Sequence, residues 1–322
     1  MTLPQLRLPG TDLTVSALCL GGNRLGGELD QAQSFELLDT FVEAGGTFID
    51  TAEVYANWLP DAPPSCSEKM LGRWFVARGR PSHIVIATKG GHPALNNPGV
   101  RRLDKAALRR DIDNSLKNLR RGSLDLFYLH RDDPARPVAD ILASLEDFRR
   151  GGLVRHYAAS NWSAARLREA EALAAQSGAP GFAAHQGEWS LARRNRVSAA
   201  ADLNTMSADI FDWHRRTGKA AIPYSPQANG YFDKIAEGRL DEVAARAYDN
   251  DANRAMSASL EPLAAEMDAT PTQVMLKALT LAPFATIPII GCRTPGQVRA
   301  SAASLALPLT PERAAALLNV NL

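Results

Sequence analysis

Short apolar runs alternate with amphipathic segments along the whole chain. The apolar runs place hydrophobic residues at consecutive positions, which is typical of strands covered on both faces. In the segments between them, apolar residues recur at a spacing of three and four, as in helices that bury one face. This alternation predicts repeated βα units that pack helices around a parallel sheet.

The pattern gives bounds for the individual elements. Eight strand candidates cover residues 15–21, 47–51, 84–89, 124–130, 155–160, 183–188, 220–224 and 286–290. Helical patterns lie between them, for example at 31–43, 68–78, 105–119, 138–150 and 164–177. Several helices have a residue type that favours a helix start, namely Ser67, Asp104, Ser163, and Thr270 followed by Pro271.

A missing fingerprint distinguishes between two arrangements of such units. An open doubly wound sheet would carry G-x-G-x-x-G after its first strand, and the glycine-rich stretch at 21–27 has a different spacing. Eight units in 322 residues match the (β/α)8 TIM barrel instead. We therefore predict an α/β fold with one barrel domain over residues 1–322.

Two additions to the barrel are expected. Residues 226–267 are too many for a simple connection, which predicts a long helical excursion between strand seven and helix seven. At the other end of the chain, residues 6–8 and 12–14 are expected to form an N-terminal β-hairpin that plugs the bottom of the barrel.

The charge balance bears on the class of partner. The 36 basic and 35 acidic residues give a net charge of +1, which offers no electrostatic footprint for nucleic acid or for an anionic membrane. No stretch approaches the roughly 18 apolar residues of a membrane helix, and the first residues lack the basic start and apolar run of a signal peptide. We expect a small-molecule partner, with no nucleic acid and no membrane.

Cysteine and histidine usage narrows the chemistry further. Cys19, Cys66 and Cys292 lie far apart without C-x-x-C spacing, which predicts neither a disulfide framework nor a zinc site and fits a cytoplasmic location. The six histidines show no ligand spacing with cysteines or acids. No metal is therefore expected.

Four polar side chains stand at or just after the ends of successive predicted strands, where a barrel carries its active site. They are Asp50, Tyr55, Lys89 and His130. Taken alone, Asp50 is equally consistent with a strand-end cap, and Lys89 with a solvated surface charge. Together, the four residues predict a proton-transfer device. The Lys89 ammonium is expected to lower the tyrosine pKa from about 10, Asp50 to hold Lys89 charged, and a neutral His130 to donate to a carbonyl oxygen.

Five sequence motifs resemble those of a known protein family. They are GGTFIDTAEVY at 45–55, SEKMLGRW at 67–74, IVIATKGG at 84–91, LDLFYLHRDD at 124–133 and VRHYAASNWS at 154–163. In this order and spacing the chain resembles the aldo-keto reductase family over nearly its whole length. The resemblance implies reduction of an aldehyde or ketone by hydride from NADP(H), with Tyr55 as general acid, Lys89 and Asp50 tuning it, and His130 orienting the carbonyl.

The resemblance also implies a cofactor site. Ser160, Asn161 and Gln186 match the positions that hold the carboxamide, and Trp189 stands where the family more often has a tyrosine that stacks on nicotinamide. The remaining cofactor positions are Gly22, Tyr224, Ser225 and Gln227, followed by Gly291, Arg293 and Gln297 in the 2′-phosphate loop. Ala300 and Ser301 replace the family's usual Glu-Asn pair, which departs from the adenine-binding pattern.

Several readings stay open from the sequence. His92 can reach the substrate or be merely exposed, and Trp58 and Leu59 can wall a pocket or anchor their loop. The kinase-like triplet at 130–132 lacks the following Asn and any D-F-G, so a kinase is not expected. A different class of function is a nucleotide-sensing regulator resembling potassium channel β subunits. The substrate-loop segments 57–66, 91–100 and 229–256 carry no decodable motif, and the oligomeric state is unknown.

Overall fold

A computed structural model describes residues 2–195 and 202–319. Its strands are β1 (Gln5–Arg7), β2 (Thr14–Ser16), β3 (Cys19–Gly21), β4 (Phe48–Asp50), β5 (Val85–Gly90), β6 (Leu124–Leu129), β7 (Val154–Ser160), β8 (Ala184–Gln186), β9 (Ala220–Ala221) and β10 (Ile289–Ile290). Its helices are α1 (Gln31–Glu43), α2 (Cys66–Ala77), α3 (Lys105–Leu119), α4 (Val138–Arg150), α5 (Ala164–Ser177), α6 (Ala208–Thr217), α7 (Tyr231–Ala236), α8 (Glu242–Tyr248), α9 (Asp251–Glu266), α10 (Pro271–Thr280), α11 (Pro295–Ala303) and α12 (Pro311–Asn319).

The last eight strands form one parallel sheet in the order β10-β3-β4-β5-β6-β7-β8-β9. The two edges of this sheet meet, because Ala221 pairs with Thr286 in a parallel bridge. The Ala221 amide donates to Ala285 O and the Ile287 amide donates to Ala221 O, each at 2.9 Å. The sheet is therefore closed, and the predicted (β/α)8 barrel is confirmed.

The N-terminal hairpin has a slightly different register from the one expected. β1 and β2 pair antiparallel with Gln5 opposite Ser16 and Arg7 opposite Thr14, so the strands lie at 5–7 and 14–16 and not at 6–8 and 12–14. The turn is tightened by Thr11, whose hydroxyl donates to Leu8 O at 2.8 Å. The connection places Leu8, Leu13 and Val15 in one buried cluster with the barrel residues Phe48, Val85, Leu126 and Ile287. The hairpin plugs the barrel by this burial.

One predicted strand and one predicted helix start need correction. Residues 15–21 are not continuous, because the Ser16 hydroxyl donates to Leu18 O at 2.7 Å and the chain turns between β2 and β3. Ser67 is not a cap. Helix α2 already begins at Cys66, and the Ser67 hydroxyl donates to Gly22 O at 2.7 Å. The caps at Asp104, Ser163 and Thr270 are confirmed.

The predicted excursion between strand seven and helix seven contains three helices, α7, α8 and α9. Its aromatic residues Tyr231, Phe232 and Tyr248 are buried in one apolar cluster with Val274 and Met275 of α10. These side chains fasten the excursion to the outer wall of the barrel. Among the described residues, no helix has the length and apolar character needed to cross a membrane.

Two buried histidines lie where β8 packs on α6. Among the described residues no side chain bonds to the His185 ring, which lies near the Trp162 backbone, and His214 bonds through Nδ1 alone, to Lys219 O at 2.9 Å. Burial, reinforced by the neighbouring His214, lowers the pKa of His185 to about 3, and burial lowers that of His214 to about 4. Both rings are therefore neutral in the folded protein at ordinary pH.

These histidines should make the fold sensitive to acid. Because the unfolded chain takes up the proton near pH 6.5, stability is present above that pH and is lost as the pH falls toward the folded pKa. For one histidine the loss between pH 7 and pH 5 is about 2 kcal/mol. We expect the unfolding free energy of His185→Leu, which forfeits no hydrogen bond to a side chain, to fall by about 2 kcal/mol less over this interval than that of the wild type. Chemical denaturation at the two pH values measures the difference.

The control is His83→Gln, since His83 is exposed. This variant should keep the wild-type dependence of unfolding free energy on pH. An unchanged dependence in His185→Leu would contradict the assignment of the acid sensitivity to this buried ring.

Candidate active site

The four residues of the predicted proton-transfer device meet at the carboxyl ends of neighbouring strands. Asp50 is the last residue of β4, and Tyr55 is on the loop that follows it. Lys89 is the penultimate residue of β5, and His130 follows β6 directly. The parallel register places Asp50 beside Ala87, two residues before Lys89 on the same face of β5. Asp50 and Lys89 are buried, and Tyr55 is partly buried.

The Lys89 ammonium has three acceptors at hydrogen-bond distance. Its Nζ donates to Asp50 Oδ1 at 2.5 Å, to Thr51 O at 2.8 Å and to the Tyr55 hydroxyl at 2.9 Å. The Tyr55 hydroxyl also lies 3.4 Å from Asp50 Oδ1. Since an ammonium group has three protons, this arrangement uses all of them and fixes the head group.

The electrostatics correct one expectation about Tyr55. Burial raises the pKa of Tyr55 above its usual range and outweighs the opposing effect of Lys89, so the tyrosine does not have the lowered value expected from the sequence. Burial alone would lower the pKa of Lys89, but Asp50 and Tyr55 outweigh burial and raise it. At neutral pH the tyrosine is therefore protonated and the lysine charged.

His130 is held as a neutral ring, as expected. Burial, together with the positive charges of Lys89 and Arg131, lowers its pKa well below the usual range. Its ring centre lies 5.8 Å from that of Tyr55 and 4.8 Å from that of His92, both edge to face. The buried Nδ1 of His130 has no hydrogen-bond partner among the described residues. The ring is available to a ligand.

These residues open onto a cleft of about 700 Å³. Asp50, Tyr55 and His130 line its inner end, and Trp58, 47% exposed, stands at the edge with its ring 6.0 Å from that of Tyr55. Nine of the predicted cofactor residues also line the cleft, namely Ser160, Asn161, Gln186, Tyr224, Ser225, Gln227, Gly291, Arg293 and Gln297. The volume and shape suit an extended ligand.

At the inner end, one hydrogen-bond network joins the predicted cofactor residues to Asp50. The Gln186 amide donates to Asp50 Oδ2 at 2.9 Å. Asn161 has a left-handed backbone (φ 61°), its Nδ2 donates to Ser160 Oγ at 3.1 Å, and its Oδ1 accepts from the Tyr224 hydroxyl at 2.9 Å. Asn161 therefore has an amide whose position is fixed from both sides.

The outer end of the cleft lies at the start of α11. Gln297 accepts from the Arg293 amide at 2.7 Å, and Gln227 accepts from the Gly291 amide at 2.9 Å. The Arg293 guanidinium is exposed and is 3.7 Å from Glu28. A helix N-terminus with a nearby arginine is an arrangement that binds phosphate.

Two residues of the predicted cofactor set do not line the cleft. The Trp189 ring is buried against Phe211 and Phe284, with ring centres 6.0 and 6.1 Å away, so an aromatic cluster holds it outside the cleft. Tyr224 is the aromatic residue that lines the cleft in that region. Gly22 supports the strand end instead, because its amide donates to Asp50 O at 2.7 Å and a Cβ there would lie 2.9 Å from that oxygen.

Sequence reasoning missed two polar residues near the ligand site. Arg131 lines the cleft, but its only signal was its place in the kinase-like triplet. Asn204 donates to Asn161 O at 2.6 Å from a loop far along the chain, and no motif marks it. Among the described residues, no group of His, Cys, Asp and Glu side chains is placed so that it could hold a metal ion.

Comparisons with known proteins show the family and the fold of the chain. The model of the Aldo/keto reductase family matches residues 17–321. The norsolorinic acid reductase stcV of Emericella nidulans is 27% identical over 94% of the chain and 78% of that relative. An aryl-alcohol dehydrogenase [NADP(+)] of Phanerodontia chrysosporium is 27% identical over 95% and 82%. The crystal structure of a thermostable aldo-keto reductase, Tm1743, covers 99% of this chain and 100% of its own with a TM-score of 0.72 at 22% identity.

The buried pair of Lys89 and Asp50 yields a stability prediction. Removing one partner leaves an uncompensated buried charge, so Lys89→Met should lower the free energy of unfolding by about 3 kcal/mol or more. The double variant Asp50→Asn/Lys89→Met should recover a large part of this loss, because neither charge remains. Urea denaturation of the single and double variants measures the coupling between the two residues.

A surface pair of the same type provides the control. Lys105 and Asp147 also lie 2.5 Å apart, but both are more than half exposed. Lys105→Met should therefore change the unfolding free energy by less than about 1 kcal/mol. Equal changes in unfolding free energy at the two sites would contradict the claim that burial makes the loss of Lys89 costly.

Proposed function

The chain belongs to the aldo/keto reductase family, and we propose that it is an NADPH-dependent enzyme that reduces an aldehyde or ketone to an alcohol. The observation that carries this proposal is the Tyr55 hydroxyl, held 2.9 Å from the Lys89 ammonium and facing a cleft that His130 also lines. A protonated phenol beside a fixed cation and a neutral imidazole suits protonation of a carbonyl oxygen that gains negative charge.

The residues of the cleft fit a nicotinamide dinucleotide. Asn161, Ser160 and Gln186 offer fixed amide and hydroxyl groups at the inner end, where a carboxamide would bind, and Tyr224 offers a ring for stacking. Ser225 and Gln227 line the middle of the cleft and would hold the pyrophosphate, and Gly291, Arg293 and Gln297 lie at the outer end. When bound, the reduced cofactor supplies hydride to the carbonyl carbon.

The protein's own part of the reaction is the movement of one proton. His130 donates a hydrogen bond to the substrate carbonyl oxygen, which orients it toward Tyr55 and polarises it. The Tyr55 hydroxyl passes its proton to that oxygen as the negative charge develops. The phenolate left behind is stabilised by Lys89, whose charge Asp50 maintains from the other side.

The raised pKa of Tyr55 is compatible with this role. A general acid must hold its proton until the carbonyl oxygen becomes basic, and burial keeps the tyrosine protonated in the resting site. The same burial removes water, so the attraction between Lys89 and a phenolate is stronger here than it would be in solvent. Lys89 therefore acts on the state that follows proton transfer more than on the resting state.

Replacement of Tyr55 tests the proposed acid. We expect Tyr55→Phe to lower kcat for reduction of a reactive aldehyde by a factor of about 100 to 10,000, while the dissociation constant for NADPH changes by less than about threefold. Loss of NADPH absorbance measures turnover, and quenching of tryptophan fluorescence measures binding. The reason is that the ring remains and only the proton donor is lost.

Tyr128 provides a matched control. It is a buried tyrosine of strand β6 that does not line the cleft, so Tyr128→Phe should leave turnover close to the wild-type rate. Full activity of Tyr55→Phe would contradict the proposed acid. A wild-type protein that binds NADPH without reducing any aldehyde would favour the nucleotide-sensing alternative.

The choice of NADP over NAD is assigned to Arg293. Its guanidinium is exposed and can pair with a 2′-phosphate, a contact that NADH cannot make. Arg293→Ala should lower kcat/KM for NADPH by about tenfold or more, equal to about 1.4 kcal/mol, and leave kcat/KM for NADH within about twofold. Steady-state kinetics with both nucleotides measure this difference.

Arg299 is a suitable control, because it is exposed on helix α11, which begins just after Arg293, and does not line the cleft. Arg299→Ala should not change the ratio of the two kcat/KM values. Equal losses with NADPH and NADH in Arg293→Ala would show that the arginine does not read the 2′-phosphate.

A further inference from the structure

Arg131 is a cation of the cleft that the proposed mechanism does not use. It belongs to the triplet at 130–132, whose members have different environments in the structure. His130 lines the inner end of the cleft, and Asp132 turns outward to pair with Arg166 at 3.0 Å. Arg131 also lines the cleft, although it follows the strand end by one further residue.

The guanidinium of Arg131 is anchored on one side only. Nη1 donates to the backbone oxygen of His130 at 2.9 Å, and Nε lies 3.4 Å from Asp202 Oδ2. Nη2 has no hydrogen-bond partner among the described residues. The side chain is 15% exposed, so it is held in place and still reachable from the cleft.

The counter-ion of Arg131 is shared. The same Asp202 oxygen lies 2.9 Å from Arg101 Nη1, which is closer than its 3.4 Å distance to Arg131. One carboxylate therefore serves two guanidinium groups, and the cluster of the three residues carries an excess of one positive charge. A second carboxylate can therefore bind to this cluster, because the excess positive charge outweighs its repulsion by Asp202.

Among the described residues at this end of the cleft, Lys89, His130 and Arg102 contribute no unbalanced charge. Lys89 is paired with Asp50, and His130 is neutral. Arg102 is paired with the buried Asp111 at 2.5 Å. The positive charge of Arg131 opposes protonation of His130, which shows that it lies within electrostatic reach of the reacting groups. Among these described residues, Arg131 therefore contributes a positive charge that its shared counter-ion balances only in part.

We propose that Arg131 binds a carboxylate of the substrate, and that the substrates of this enzyme are oxo acids, aldehydes or ketones with a carboxylate close to the carbonyl group. The inference rests on the proposed reductase function and adds the substrate class to it. A guanidinium presents donors in a planar fork that matches the two oxygens of a carboxylate. With Nη1 tied to the His130 backbone, the carbonyl and the carboxylate would be held by adjacent residues of one chain segment.

A purely structural role for Arg131 would have a different outcome. In that case the arginine would only join the segment after β6 to Asp202, and the charge of the substrate would not matter. The shared Asp202 makes the two roles separable, because it competes with an incoming carboxylate for Arg131. Removing this competitor should strengthen binding of an acidic substrate, whereas a structural link would only be weakened by its loss.

The experiment compares substrates that differ in charge and little else. The 2-, 3- and 4-carboxybenzaldehydes are each paired with their neutral methyl esters, and kcat/KM is measured with NADPH for the wild type, Arg131→Gln, Arg131→Lys and Asp202→Asn. The readout is the ratio of kcat/KM for acid over ester, since general damage to the enzyme affects both substrates. Arg110→Gln is the control, because Arg110 is exposed on α3 and does not line the cleft.

For the wild type, we expect a ratio of kcat/KM for acid over ester of about ten or more with at least one isomer, and we expect this ratio to arise from a lower KM for the acid. Arg131→Gln should bring this ratio close to one, Arg131→Lys should recover part of it, Asp202→Asn should raise it, and Arg110→Gln should leave it unchanged. Ester turnover with a ratio near one, or a ratio that survives in Arg131→Gln, overturns the inference and leaves the reductase proposal standing. Failure to reduce any acid or ester overturns the proposed function and this inference with it.

Discussion

The site depends on one buried ammonium group. Lys89 sits inside the barrel, where an unpaired charge would cost several kcal/mol, and its three protons reach acceptors on the segment that runs from Asp50 to Tyr55. That segment begins at the end of the adjacent strand, so the parallel register of β4 on β5 sets the geometry. Closure of the barrel excludes water from the pair, and the pair in turn fixes the loop that carries Tyr55.

Close packing around β5 keeps this register. A side chain at Gly90 would place its Cβ 2.7 Å from the ring of Phe127 and 2.9 Å from the Cβ of Asp111. Asp111 accepts from the Gly91 amide at 2.8 Å, so helix α3 holds the end of the same strand. The carboxyl end of β5 is thereby pressed against its neighbours, and Lys89 has little freedom to move away from Asp50.

The sequence predicted where the eight barrel strands lie, although β3, β8, β9 and β10 are shorter than the predicted segments. It also predicted the helix bounds of α1, α3, α4 and α5 and the placement of four polar residues at the strand ends, because periodicity and strand-end chemistry are local signals. It failed where tertiary packing decides. Trp189 had the right residue type and motif position, yet burial against Phe211 and Phe284 takes its ring out of the cleft. Ser67 is a residue type that commonly caps helices, but its hydroxyl donates a hydrogen bond to Gly22 O instead. The direction of the Tyr55 pKa also needed the degree of burial, which no motif encodes.

Electrostatics give the clearest case of information that composition conceals. The whole chain carries a net charge of +1, but among the described residues five cations and three carboxylates line the cleft, namely Arg24, Arg131, Lys234, Arg239 and Arg293 against Asp50, Asp233 and Asp241. Fold topology brings these side chains together from loops that are distant in the chain. Arg24, Lys234 and Arg239 each pair with a nearby carboxylate, but the lining itself holds more cations than carboxylates. Field lines in such a concave site are focused by the low dielectric of its walls, so anionic ligands are drawn in. Because Lys89 and Asp50 cancel each other, the attraction comes from the periphery of the cleft, and the groups that move the proton can stay buried and nearly neutral as a set.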